Sequence, residues 1–175
     1  MILSLWRWLR MNNQTPVMHD WSRVVQAIES NHLDSTELLE TIAFLATNES
    51  WRDVWKIADL LGREVSILFD SVNRVWVDVG TPGMVRPKPP IGSQLPLRLW
   101  IHTHPYNAYW SVTDLDTLAI YSTILQEALV LGHDHLKRTV TNDGSGPSLG
   151  EKGPLQSWTS EDTVNYDKLE ESDVG

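Results

Sequence analysis

Residues 99–116 read LWIHTHPYNAYWSVTDLD, and this stretch decides the fold. The apolar run before the first histidine predicts a buried strand, and the pattern that starts at Thr113 predicts a helix. His102 and His104 are two residues apart, and alternate residues of a strand point to the same side. Asp114 falls in the first turn of the predicted helix, where free N–H groups favour a carboxylate. The stretch therefore predicts a strand, a loop and a helix start that bring three metal-binding side chains together.

This ligand set indicates zinc. The chain contains no cysteine, so any metal has to be held by nitrogen and oxygen atoms. Two histidines and one carboxylate leave a tetrahedral zinc ion with one open position for water, as hydrolytic zinc sites require. We therefore expect Zn²⁺ as the cofactor, with His102, His104 and Asp114 as its ligands.

Length and charge limit the class of protein. A chain of 175 residues with 41% hydrophobic residues is typical of one globular domain. The formal net charge of −9 argues against nucleic-acid binding, which needs a basic surface. Residues 1–19 form an N-terminal arm whose apolar part, residues 1–10, is too short to span a bilayer, so we expect no stable membrane insertion and a cytoplasmic protein. The domain is expected over residues 20–160, followed by an acidic, disordered tail at 161–175.

The rest of the pattern predicts a mixed sheet flanked by helices, that is, an α/β or α+β fold. Apolar residues at helical spacing predict helices over 20–31 and 113–131, the second ended by Gly132. Apolar or β-branched runs predict strands over 40–47, 65–69, 75–79, 136–141 and 156–159. Residues 51–61 fit either a helix or a strand. Residues 80–96 form a long loop rich in glycine and proline, which either borders the cleft or has no role.

The motif resembles a known family. HTHP at residues 102–105, then Ser111, two further residues and Asp114, is similar to the motif of the JAMM (MPN-plus) zinc metalloproteases, in their archaeal and deubiquitinating branches. The resemblance covers roughly residues 20–141. The loop between the second histidine and the serine is one residue shorter than in the family, which leaves Asp116 as the alternative ligand to Asp114.

The family also has a glutamate at the start of an early strand, in the form E-x-x-G/A-x-L. Glu40 and the five residues after it, ETIAFL, fit that form. The resemblance then implies that His102, His104 and Asp114 bind zinc, and that Glu40 moves a proton from water to the leaving amine. It implies that Ser111 donates a hydrogen bond to the oxyanion.

The resemblance implies an MPN-type, cytidine-deaminase-like sheet and an isopeptidase activity. Such an enzyme would cleave an amide bond at the C-terminus of a ubiquitin-like modifier, or a related peptide bond. A catalytically inactive MPN-type scaffold is the alternative, because a fold does not by itself imply an activity.

Three assignments stay open between alternatives. Glu64 is the rival for the base, since it also precedes a predicted strand, but Glu40 is preferred because it follows a helix. Residues 105–110, between the second histidine and Ser111, form a loop that we call the metal loop. Its Tyr106 and Trp110 are predicted to contact the substrate, with simple loop packing as the alternative. A second H-x-H pair at residues 133–135 lacks a carboxylate at a suitable spacing and is taken as structural.

Overall fold

The structure is a computed structural model that describes residues 15–81, 89–141, 147–150 and 153–172. These residues form an α+β fold, in which five helices flank a six-stranded mixed sheet. The helices are α1 (Trp21–Glu29), α2 (Thr36–Thr47), α3 (Trp51–Leu61), α4 (Val112–Ile120) and α5 (Tyr166–Ser172). The strands are β1 (Val65–Phe69), β2 (Val75–Val79), β3 (Leu97–Thr103), β4 (Leu125–Leu131), β5 (His135–Val140) and β6 (Val164–Asn165).

The strand order is β2-β1-β3-β4-β5-β6, and every neighbouring pair is antiparallel except β3 and β4. The parallel pair is joined through α4, because parallel strands need a crossover connection. Ser66 of β1 lies opposite His102 of β3, and Leu97 of β3 lies opposite Leu125 of β4. Since β1 and β3 are antiparallel, the start of β1 lies beside the end of β3.

Apolar side chains cover both faces of the sheet. Helices α1 to α3 and one face of the strands share the larger cluster, which includes Val24, Leu38, Ile42, Val54, Ile57, Ile67, Leu99 and Ile101. Helix α4 and the other face share the smaller cluster, which includes Leu68, Leu97, Trp100, Leu118, Leu125, Ala128 and Trp158. The loop that joins β3 to α4 begins at the carboxyl end of β3, where open α/β sheets commonly bind ligands.

Several predicted elements are confirmed. The strands at 65–69 and 75–79 are β1 and β2, and the strand at 136–141 matches β5 to within a residue. The helix at 20–31 is α1, whose N-cap Asp20 accepts a 2.8 Å hydrogen bond from the backbone N–H of Ser22. The ambiguous segment at 51–61 is helix α3.

The strand predicted over residues 40–47 is wrong, because these residues belong to α2. Ser35 caps this helix by accepting a 3.3 Å hydrogen bond from Leu38 N–H. Residues 38–46 of the helix are buried or half-buried against α1, α3 and the sheet, so its apolar residues form no single narrow stripe. A short apolar run of this kind does not distinguish a buried helix from a buried strand.

The single helix predicted over residues 113–131 is also wrong. Helix α4 ends at Ile120, and after a turn the chain continues as β4, a central strand of the sheet. A strand covered on both faces reads as a continuous apolar run, which resembled the continuation of the helical stripe. Gly132 accordingly follows a strand rather than a helix.

The disorder predicted for the tail at 161–175 is wrong for residues 161–172, the part of the tail that the structure describes. β6 pairs with β5, and Tyr166 at the start of α5 is 2% exposed. The Tyr166 hydroxyl donates a 2.8 Å hydrogen bond to the carbonyl of Gly132. The strand predicted at 156–159 is a 3₁₀ turn (Pro154–Ser157) with isolated bridges at Trp158 and Thr159.

Part of the predicted N-terminal arm and part of the predicted glycine- and proline-rich loop lie outside the described residues. These are residues 1–14 and 82–88. Within the arm, the backbone N–H of His19 donates a 3.3 Å hydrogen bond to Thr41 Oγ1 of α2. In the described parts of the chain, no helix combines the length and the apolar character needed to cross a membrane.

Candidate metal centre

The end of β3 and the first turn of α4 supply the three predicted ligands. His102 is in β3, His104 follows the strand directly, and Asp114 is the third residue of α4. Ser111 is the N-cap of α4 and forms a capping box with Asp114. Its hydroxyl donates to Asp114 Oδ2 at 2.7 Å, and its Oγ accepts from the Asp114 N–H at 3.2 Å. The capping box therefore fixes where the carboxylate lies.

The donor atoms are close enough to share one ion. His102 Nε2 lies 3.1 Å from Asp114 Oδ1, and His104 Nε2 lies 3.3 Å from Asp114 Oδ2. One ligand atom from each of the three residues can be chosen so that all lie within 4.8 Å of one another. Two ligand atoms on a tetrahedral zinc ion are about 3.4 Å apart, given bond lengths of about 2.1 Å. The spacing therefore fits a single divalent ion.

Unsatisfied nitrogen atoms support a ligand at this point. The His102 side chain is fully buried, yet neither of its ring nitrogens has a hydrogen-bond partner among the described residues. Nε2 and the Asp114 carboxylate lie side by side without the alignment of a hydrogen bond. Buried polar atoms are nearly always satisfied, so an unpaired Nε2 beside a carboxylate is what a metal ligand would present.

Protonation states also suit metal binding. Burial lowers the pKa of His102, against the opposing attraction of the Asp114 carboxylate. Burial pushes the pKa of Asp114 up, but its contacts with the two imidazoles and Ser111 hold that pKa well below its ordinary value. A neutral imidazole and an ionised carboxylate are the forms that bind a metal.

Aromatic side chains orient the two imidazole rings. His102 stacks on Trp100 with the ring centroids 4.5 Å apart, and His104 meets Tyr109 edge to face at 4.6 Å. Zinc-bound histidines usually donate their second nitrogen to an acceptor, but Nδ1 of both rings has no hydrogen-bond partner among the described residues. Packing thus takes the orienting role here. Tyr109 is a residue that the sequence analysis missed.

The loop that follows His104 is held from two directions. Trp55 Nε1 of α3 donates a 2.8 Å hydrogen bond to the carbonyl of His104. On the other side, the N–H of Ala108 donates a 3.1 Å hydrogen bond to His135 Nε2. His135 therefore accepts a hydrogen bond from the loop, in agreement with a structural role for the second H-x-H pair.

The remaining predicted residues have different surroundings. Asp116 is exposed and outside the ligand group, so Asp114 is the better ligand despite the shorter loop. The Tyr106 side chain is 77% exposed. Trp110 is partly buried against the smaller core cluster, with its ring 5.8 Å from that of His102. Their predicted contacts with substrate stay predictions.

The two candidate bases lie in different places. Glu40 is within α2, and its Oε2 is 2.5 Å from His19 Nε2. Glu64 directly precedes β1, and extending the β1–β3 register by two residues brings it opposite His104. Glu64 and His104 together line a cavity of about 380 Å³. The family form places its glutamate at the start of a strand, and Glu40 lies inside a helix instead, so its match to that form no longer holds.

Comparisons of the chain with models of protein families, with curated proteins and with solved structures find no significant match. The JAMM resemblance therefore stays a prediction based on the motif. Function has to be argued from the site itself.

Proposed function

We propose that this protein is a zinc-dependent hydrolase of amide bonds, working in the manner of the JAMM metalloproteases. The observation that carries the proposal is the buried group of His102, His104 and Asp114, whose donor atoms have the spacing of a metal site. The proposed substrate is the C-terminal segment of a ubiquitin-like modifier or a related peptide.

His102, His104 and Asp114 would hold the ion. Zinc, when bound, lowers the pKa of water to about 7 and polarises a carbonyl oxygen. The other steps fall to side chains, and the first is proton transfer. A general base has to lie within reach of the attacking water without itself binding the metal.

Glu64 meets these conditions better than Glu40. It lines the same cavity as His104 and is outside the ligand group. We therefore assign Glu64 to accept the proton of the attacking water and to deliver it to the leaving amine. Glu40 does not line that cavity, and its Oε2 is 2.5 Å from His19 Nε2.

Ser111 supports the site through Asp114. Its hydroxyl proton points to the Asp114 carboxylate, which holds this ligand in place. A role in stabilising the oxyanion would require that hydrogen bond to be exchanged for one to the substrate. We therefore propose Ser111 first as a positioning residue.

Replacing Glu64 by Gln tests the proposal, since it keeps the shape of the side chain and removes the base. We expect turnover to fall by about 10²–10⁴-fold with zinc content unchanged. The assay is hydrolysis of a panel of ubiquitin-like fusions and short peptides, with and without a chelator, next to elemental analysis of the protein.

Two further variants serve as controls. Glu40→Gln should retain activity, and His104→Ala should lose both zinc and turnover. Full activity of Glu64→Gln would remove Glu64 from the mechanism. Stoichiometric zinc without hydrolysis of any substrate would favour the inactive MPN-type scaffold.

A further inference from the structure

We propose that the cavity beside His104 binds an apolar side chain, that of the residue whose amine leaves when the amide bond is cut. This inference rests on the proposed hydrolase function and specifies its substrate. The preferred substrate is then a peptide with a large aliphatic or aromatic residue directly after the scissile bond, rather than a glycine or an isopeptide-linked lysine.

The lining of the cavity is the first argument. Trp55 and Ala58 of α3 and Pro105 of the metal loop contribute apolar surface, and Glu64 and His104 contribute the polar groups. A mostly apolar pocket with a few convergent polar groups is the usual form of a small-molecule or side-chain site. Its volume of about 380 Å³ lies within the range for such sites, so there is ample room for an aromatic ring.

The position of Glu64 indicates on which side of the metal ligands the leaving residue of the substrate lies. A group that delivers a proton to the leaving nitrogen has to come within hydrogen-bond distance of it. The residue that carries this nitrogen therefore lies on the Glu64 side of the metal ligands. Because the cavity is on that same side, the side chain of the leaving residue is the one placed to enter it.

Charge at the cavity gives no strong preference for an ionic side chain. Asp59 in α3 and Arg63 just after it line the cavity with opposite charges, and the other charged lining group, Glu64, is assigned to the leaving nitrogen rather than to the side chain. The Arg63 guanidinium is already engaged, since Nη1 donates a 3.2 Å hydrogen bond to the carbonyl of Gly80. Burial of apolar surface against Trp55, Ala58 and Pro105 is thus the main source of binding free energy.

The test is a series of peptides that share one acyl half and differ only in the leaving residue. Phe, Leu, Ala and Gly are compared with a lysine joined through its side-chain amine. For the zinc-loaded protein we expect kcat/KM to be on the order of 100-fold higher for Phe or Leu than for Gly.

Two substitutions at Ala58 connect this preference to the cavity. Ala58→Phe fills the space, and Ala58→Ser adds a hydroxyl with little change in volume, so it folds even if the larger side chain is not tolerated. Both should reduce the preference for Phe over Gly by roughly tenfold, with zinc content maintained. Leu60→Phe is the control, because Leu60 is exposed on α3 and does not line the cavity.

The outcomes separate the two proposals. Chelator-sensitive turnover that ignores the leaving side chain, that favours the lysine isopeptide, or that keeps its preference in Ala58→Ser overturns the pocket assignment alone. Absence of chelator-sensitive turnover across the whole series overturns the hydrolase proposal and this inference with it.

Discussion

The buried carboxyl group of Asp78 makes the stability of the protein depend on pH. Asp78 is in β2 opposite Ser66, which is itself opposite His102, so all three side chains share one face of the sheet. Asp78 is 7% exposed, and burial raises its pKa to about 6 from 3.8. The folded protein therefore keeps a proton on Asp78 at pH values where the unfolded chain has released it.

The sign of the effect follows from this difference. Since the folded pKa is above the unfolded one, the free energy of unfolding falls as the pH rises from about 4 to about 6, and this contribution is constant at higher pH. Asp78→Asn should therefore stabilise the protein at pH 7 by on the order of 2 kcal/mol and have little effect at pH 4. Urea unfolding of both proteins at pH 4, 5, 6 and 7 measures the difference.

Asp70 gives the matched comparison with the opposite sign. Burial raises its pKa, but hydrogen bonds from the N–H of Gln94 and from Arg74 outweigh burial and hold the pKa below its ordinary value. Asp70→Asn should therefore destabilise the protein at pH 7, and this loss should shrink below about pH 4. A pH-independent gain in Asp78→Asn would contradict the assignment.

Among the structural elements, the connection between β4 and β5 supports the metal loop. A Cβ atom at Gly132 would lie 2.7 Å from both the backbone N of Ala108 and the carbonyl O of Tyr106. Neither backbone atom can move away without shifting the loop, and that loop leads into the N-cap of α4. The glycine thus allows the close approach that places Asp114 beside the histidines.

Gly132→Ala should displace this loop. We expect zinc affinity to fall by roughly 10–100-fold, as for other residues that position metal ligands, and stability to fall by about 1–3 kcal/mol. Calorimetric zinc titration and urea unfolding measure the two effects. Gly92→Ala is the control. A Cβ atom at Gly92 would meet no atom within 4 Å, but the residue has φ of 88°, so this variant should reduce stability without changing zinc affinity. Unchanged zinc affinity in Gly132→Ala would show that the loop adapts.

At the scale of the whole molecule, a metal bound at the proposed site would connect separate parts of the fold. The ligands come from β3, from the segment after it and from α4, which packs on the opposite face of the sheet from α1 to α3. A ligand that binds only the folded state at 100 times its Kd adds about 2.7 kcal/mol to the free energy of unfolding. Zinc binding should therefore stabilise the entire domain.

Removal of zinc tests this coupling. In a chain of this length we expect a chelator to lower Tm by roughly 5–10 °C, with full recovery when zinc is added back. The His104→Ala variant should melt at one temperature whether zinc is present or not. An equal Tm for the wild-type protein with and without zinc would mean that the site holds no tightly bound ion.

The proposed ligand group could be predicted from the sequence because its spacing depends on local periods. His102 and His104 are two residues apart, and Asp114 is three residues after the N-cap of α4. Chain geometry sets both spacings over a few residues. For the same reason β1, β2 and α1 were predicted closely, since turns and caps bound each of them. What the sequence by itself determined is thus the short-range geometry around His102, His104 and Asp114.

Only the tertiary structure decided the rest. The apolar runs of α2 and β4 are compatible with helix or strand, and burial on more than one face removes the alternation that would separate the two. The candidate base changed from Glu40 to Glu64 because this choice depends on which strand pairs with β3. Strand pairing joins residues that are distant in the chain, so no local pattern contains it.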